Sequence, residues 1–179
     1  MYMKNLFFTL VFTSFFLQSL DAQVAQGNLL AGGSLSFSSE KDSESKVTTF
    51  QFSPAIGYFF ADKFAGGLRS SFSSMKMEGI DAVTDLVVGP FVRYYLLPKE
   101  NKINLLADAD FLFGSAKLGD NTLSQNAFSV SAGPVVFLNK HTGMEFKLGY
   151  SSSKLEDFTD RTNAFNILIG FQIHLDNGK

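Results

Sequence analysis

The chain has 179 residues, 15 Lys and Arg against 17 Asp and Glu, and a net charge of −2, a near-neutral balance that argues against nucleic acid or a polybasic membrane contact. Its length suits one domain with a sizeable core. The lack of cysteine excludes disulfides, thiolate metal sites, cysteine nucleophiles and a lipidated N-terminal cysteine, while 21 Phe, 15 Gly and only 18% charged residues suit a protein with an apolar outer surface.

The N-terminus reads as a cleavable signal peptide over residues 1–22. Lys4 is the positive n-region, Leu6 to Leu20 the apolar h-region, and Ala22 the small residue at the cleavage point, so that 23–179 is the mature domain. The alternative is a retained anchor. Against it, the apolar run falls short of the ~20 residues of a spanning helix, and no basic stop-transfer cluster follows.

Eight alternating segments follow. They run from Leu29 to Ser38, Val47 to Phe60, Phe64 to Ser73, Val83 to Leu96, Ile103 to Ala116, Asn126 to Leu138, Met144 to Ser152 and Ala164 to Leu175. In the last, Phe165, Ile167, Ile169, Phe171, Ile173 and Leu175 alternate with Asn166, Leu168, Gly170, Gln172 and His174. The connections alternate between polar loops (Ser39 to Lys46, Ser74 to Ala82, Lys117 to Gln125, Ser153 to Thr162) and tight turns. Short turns on one rim and longer loops on the other are the layout of an outer-membrane barrel with its turns in the periplasm. About eleven residues per strand, at ~3.3 Å rise and ~40° tilt, span roughly 27 Å, close to the apolar band of such barrels. The expected fold is therefore all-β, an eight-stranded antiparallel up-and-down transmembrane β-barrel.

Alternation does not by itself say which face is outside. A soluble exported barrel of the lipocalin type, carrying a small apolar ligand, has the same period with the faces reversed. The polar face here is rich in Ser, Gly, Thr, Asn and Ala, which fit a narrow lumen better than a soluble surface. Every strand has a charge-free apolar face, and Tyr58, Tyr94 and Tyr150 fall where interfacial aromatic girdles form. Against apolar-out stand the absence of Trp and three prolines, Pro54, Pro90 and Pro134, each of which removes a ladder hydrogen bond in a strand with no free edge, a loss that bulges could absorb.

The Pro-x-x-Gly-Tyr-Phe-Phe run from Pro54, Gly89-Pro-Phe-Val-Arg-Tyr-Tyr-Leu and Gly133-Pro-Val-Val-Phe-Leu resemble hairpin halves of the small outer-membrane barrels, the porin-family proteins similar in architecture to OmpA and OmpX. The resemblance covers the whole mature chain. It implies an outer-membrane location, a lipid bilayer as surroundings, delivery by the outer-membrane assembly machinery and a monomer. It departs from the family, many of whose members end on an aromatic residue: Asp176-Asn177-Gly178-Lys179 follows the last strand, so Phe171 or Leu175 would have to serve in its place.

The polar face carries Arg69, Arg93 and Lys147 with Asp85, Asp108, Asp110 and Glu145. Eight strands leave a lumen barely wide enough for side chains, so these charges are expected to pair into a network that plugs the barrel, with Arg93 one diagonal step from Asp108. The competing reading is a gated channel or proton path. His141 lies in a tight turn and His174 faces inward at the same end, away from the outer leaflet where lipid-modifying barrels work. With no triad spacing, ligand cluster or phosphate loop, no enzyme and no cofactor are expected. Glu156, Asp157 and Asp160 could hold a divalent ion weakly, but a solvated loop is the favoured reading. The expected role is structural or surface-binding through the loops, with an unidentified loop ligand. The alternatives are the soluble lipocalin-like carrier and a narrow porin-like channel.

Overall fold

The computed structural model describes residues 24–41, 46–77 and 82–176. The predicted signal peptide lies outside them, as do residues 42–45, 78–81 and the last three. All eight predicted strands are present: β1 (Leu29–Lys41), β2 (Lys46–Ala61), β3 (Phe64–Met77), β4 (Val83–Tyr95), β5 (Ile103–Leu118), β6 (Asn121–Phe137), β7 (Thr142–Leu155) and β8 (Thr162–Leu175). Each is antiparallel to its neighbours, and β8 returns to β1 to close the barrel.

The period-2 pattern orients the wall. Large apolar side chains from every strand point outward, among them Phe37, Ile56, Leu86, Phe113, Leu148 and Ile167. Six of the seven charged groups of the polar face are buried inside, and Asp85 is half-buried. A soluble ligand-carrying barrel would show the reverse, so this geometry overturns the lipocalin-like alternative. An uninterrupted apolar belt is stable only when something apolar covers it, and for a closed barrel that is lipid.

Two expectations need correction. The first concerns the loops. The strands are 13 to 17 residues long, well beyond the ~9–11 that cross a bilayer, and the excess lies at the loop end. The predicted loop Lys117 to Gln125 is a hairpin tip of only Gly119-Asp120, with positive φ at Gly119. That is the backbone a two-residue turn with Gly in first place needs. The loops at residues 39–46, 74–82 and 153–162 are likewise partly strand. At the turn end, meanwhile, the β4–β5 connection takes residues 96–102. Connection length therefore does not separate the rims. Above the lipid both faces of a strand meet water, so alternation lapses while the hydrogen-bond ladder continues.

The second concerns proline. Pro54, Pro90 and Pro134 produce no bulge. Each keeps one partner, with Gly33, Leu68 and Leu105 respectively. On its other side the ladder skips two residues and resumes in the same register: Phe52↔Phe72 to Ala55↔Arg69, Val88↔Phe113 to Phe91↔Asp110, and Ala132↔Leu148 to Val135↔Glu145. A missing N–H removes a bond but adds no residue, so the register survives. The register does shift between Phe59 and Ala61, beside the Asp62-Lys63 turn where Lys63 has φ 67°. Glycine lets the wall bend so tightly: a Cβ on Gly67 or Gly133 would lie 2.0 Å from the carbonyl oxygen of Ile56 or Phe146 on the neighbouring strand.

Candidate functional site in the barrel lumen

Six of the seven predicted interior charges meet at mid-height. They come from β3 (Arg69), β4 (Arg93), β5 (Asp108, Asp110) and β7 (Glu145, Lys147), so the cluster spans the lumen. Arg93 and Asp108 are direct cross-strand partners, closer than the diagonal step expected. The Arg93 guanidinium donates Nε to Asp108 Oδ1 at 2.7 Å and Nη2 to Oδ2 at 2.9 Å, the two-pronged geometry that favours arginine. Its Nη1 donates to Glu145 Oε1 at 2.6 Å. Lys147 Nζ donates to Asp108 Oδ2 at 2.6 Å and lies 3.3 Å from Glu145 Oε2. Arg69 reaches Asp110 Oδ2 at 2.5 Å and Asp108 Oδ2 at 3.4 Å. Asp108 thus touches all three cations. Three positive and three negative side chains, none more than 10% exposed, balance one another. That balance is what makes buried charge tolerable in so narrow a space.

Asp85 stands apart. It accepts from Ser73 Oγ at 2.6 Å and lines a cavity on the loop side of the network. This cavity has a volume of about 190 Å³, and serines from β1, β2, β3, β6 and β7 face into it. Ser53 and Ser71 lie 2.9 Å apart, and Gln51 donates to Ser71 at 2.9 Å. Gln125 Oε1 is buried against the same cavity with no hydrogen-bond partner.

On the turn side the interior is largely apolar around the buried His174, Gln172 and Asn104, which corrects the expectation of a polar plug throughout. Val24, Leu30, Phe59, Tyr95, Leu106 and Phe137 are all fully buried and form one apolar cluster. Tyr95 and Phe137 rings stack at 6.3 Å, and Phe59 lies 5.9 Å from Tyr95. His174 is buried among them, with Tyr95 Oη 3.4 Å from its Nε2. Tyr95 also accepts from Arg93 Nη1 at 3.3 Å, so its hydroxyl joins cluster and network while its ring fills space. The segment before β1 caps the cluster. Val24 O accepts from Lys63 N at 2.8 Å, and Gly27 N donates to Phe59 O at 3.0 Å. At the rim outside the spanning strands, Asp62 accepts from Gln26 N at 2.8 Å and Lys99 Nζ at 2.9 Å. First the backbone donor and then the lysine hold the Asp62 carboxyl below its ordinary pKa, and Asp62 raises that of Lys99.

This inner cluster has a signature in the sequence. Near the turn end of five strands two apolar residues run together: Leu29-Leu30, Phe59-Phe60, Tyr94-Tyr95, Leu105-Leu106 and Val135-Val136. Adjacent strand residues face opposite ways, so such a pair means both faces are apolar.

The remaining candidates lie elsewhere. Tyr58 and Tyr94 point outward near the turn rim, with Lys63 Nζ 5.6 Å from the Tyr94 ring centroid. Tyr150 faces out toward the loop end and donates to Asn163 Oδ1 at 2.9 Å. His141 is half-buried in its turn, its Nδ1 3.1 Å from His174 O. Glu156, Asp157 and Asp160 are exposed in the β7–β8 connection. Arg161, beside them, was not singled out by its sequence position. It donates to Ser152 Oγ at 2.8 Å and lies 5.4 Å from the Phe128 ring centroid.

An apolar belt on every strand of a closed antiparallel wall, around an ion-paired lumen, defines an integral membrane β-barrel. Three solved structures of this fold, from outer-membrane or surface proteins, are similar to it. OprG from Pseudomonas aeruginosa superposes with a TM-score of 0.54 at 14% identity, over 87% of this chain and 100% of that one. Neisserial surface protein A does so with 0.58 at 12%, over 82% and 95%. The N-terminal barrel domain of Pseudomonas aeruginosa OprF does so with 0.52 at 12%, over 84% and 98%. No family model matches the chain, and no curated protein matches it in sequence. What is shared with these three is the fold of the small outer-membrane barrel.

Proposed function

We propose that the chain is a monomeric outer-membrane barrel with a sealed interior, delivered by the outer-membrane assembly machinery. Its role is structural or surface-binding at the loop end. It is neither a conducting pore nor an enzyme. The observation that carries this reading is the double closure of the lumen: six paired charges at mid-height, with the Val24–Leu30–Phe59–Tyr95–Phe137 cluster directly beneath. An ion passing through would have to separate buried salt bridges and then cross an apolar constriction, and each step is costly. Both histidines stand at the turn end, away from the cavity, so neither is placed to act as a general base there.

The experiment is reconstitution into planar bilayers and lipid vesicles. The protein should run as a heat-shifted band in detergent gels and resist urea extraction from membranes. It should pass no sustained current and release no trapped small sugar. Steady single-channel steps from the intact protein would overturn the sealed-interior reading. Recovery in a detergent-free aqueous fraction would overturn the membrane reading.

A further inference from the structure

The cavity above the ion network is where the charge of the lumen stops balancing. Arg69, Arg93 and Lys147 are matched by Asp108, Asp110 and Glu145. Asp85, the remaining charged residue of the polar face, adds one negative charge. It accepts from Ser73 Oγ at 2.6 Å and forms no ion pair among the described residues. A second acceptor is left over on the same cavity: Gln125 Oε1 is buried without a hydrogen-bond partner. The register places these two side chains on β4 and β6, with β5 between them. Asp85 is opposite Ala116, and Gln125 is opposite Gly114. At these positions β5 puts nothing larger than a methyl group between two acceptors whose backbones lie two strand spacings, ~10 Å, apart along the wall.

The cavity is a blind end, not a passage. Arg69, Asp110 and Lys147 line it from below and are buried. At its loop end Thr49, Ser73 and Asp85 are only half-buried, so water reaches the carboxylate from that rim. Its volume is about 190 Å³. A cavity of about 150 Å³ holds a six-carbon ring, so about seven non-hydrogen atoms fit here.

We propose that this cavity is a binding pocket, entered from the loop rim, for a small primary amine that carries hydroxyl groups and no negative charge. The ammonium pairs with Asp85. One hydroxyl donates to Gln125 Oε1, and the others meet Ser53, Ser71 and Ser129, which both donate and accept. The carbon chain rests on Val87 and Leu112. Other classes of ligand fit less well. An anion finds Arg69 and Lys147 already engaged by carboxylates, and it meets Asp85 without compensation. A neutral polyol displaces water from Asp85 and supplies no countercharge. A multivalent metal finds a single free carboxylate, and no group of three acidic or histidine side chains is placed to hold one among the described residues.

This inference gives a ligand class to the surface-binding role proposed above and rests on that reading. The test is a titration of the isotope-labelled mature protein in detergent micelles near neutral pH, followed by its backbone amide shifts. The probes are serinol, glycerol, glycerate and, at matched ionic strength, sodium chloride. Serinol differs from glycerol only in carrying an ammonium where glycerol has its central hydroxyl.

Serinol should shift the amides of Ser73, Asp85 and Gln125 saturably, as one site. Glycerol and glycerate should bind at least about tenfold more weakly, the worth of one hydrogen bond to a charged group, and the salt should reproduce none of the shifts. Asp85→Asn keeps an acceptor for Ser73 and should reduce serinol to the level of glycerol. Ser71→Leu fills the cavity and should abolish saturation while keeping the heat-shifted band. Shifts that rise without saturating, equal affinity for serinol and glycerol, or the same shifts from sodium chloride would overturn the pocket. The comparison of serinol with glycerol uses the unmodified protein, so it decides even where a variant does not fold. Release of trapped sugar from vesicles would instead overturn the sealed-interior reading and leave a saturable serinol shift at Asp85 standing.

Discussion

The two halves of the lumen are built from the same inward positions of the same strands, yet they are filled in opposite ways. On the turn side Phe59, Tyr95, Leu106 and Phe137 pack without space for solvent. On the loop side Ser53, Ser71, Ser129 and Ser151 surround an open cavity of about 190 Å³. The ion network lies between them and touches both, through Tyr95 below and through Arg69 and Lys147 above. An inward position is therefore not polar because it faces the lumen. Inward positions are mostly polar where water reaches and mostly apolar where the barrel is shut, with His174, Gln172 and Asn104 the buried polar exceptions. The charges sit at the boundary, where each can be fully paired.

Disrupting the boundary should have the largest effect. Asp108→Asn removes the acceptor shared by Arg69, Arg93 and Lys147, leaving buried positive charge uncompensated. A loss of about 3–5 kcal/mol is expected, read from the urea midpoint of the folded, heat-shifted band. A change below 1 kcal/mol would mean that water already screens the network. Next, Phe137→Ala should cost about 3 kcal/mol by leaving a void in the packed half. Ser71→Ala at a comparable inward position should cost about 1 kcal/mol or less, the worth of one hydrogen bond. Equal costs for the two would erase the contrast between the halves.

The smallest effect is expected at the rim. The folded-state pKa of Asp62 is depressed, so its contribution is fully present above the ordinary carboxylate value near ~3.9 and is lost as pH falls through its lower folded value. Protection of the Gln26 amide, measured as its exchange rate relative to the unprotected rate at the same pH, should therefore fall on acidification below about pH 4. Asp62→Asn should show the lower protection already at neutral pH.

Legibility followed the physics of each region. In the belt, lipid outside and protein inside impose strict alternation, and the sequence reading placed all eight strands with their faces correct. In the overhang above the lipid no such contrast exists, so residues such as Thr122 to Gln125 and Ser153 to Leu155 read as loop although they are paired strand. In the packed half both faces are apolar, so Phe59 and Tyr95 were passed over as inward residues. The charged residues were legible because a carboxylate or guanidinium in the middle of a lipid-facing strand has nowhere to go but inward.

By itself, then, the sequence determined the strand number, the outward face, the closure of β8 on β1 and the list of charges that must share the lumen. These follow from a period of two and from the cost of charge in hydrocarbon, both of which are local. Which acid takes which base, how the apolar cluster closes over Val24, and where the β1–β8 ladder stops were decided by tertiary structure alone. Those outcomes depend on stagger and distance around a closed ring, and residues as far apart as Arg93 and Glu145, or Leu35 and Ile169, acquire a relation only once the ring has closed.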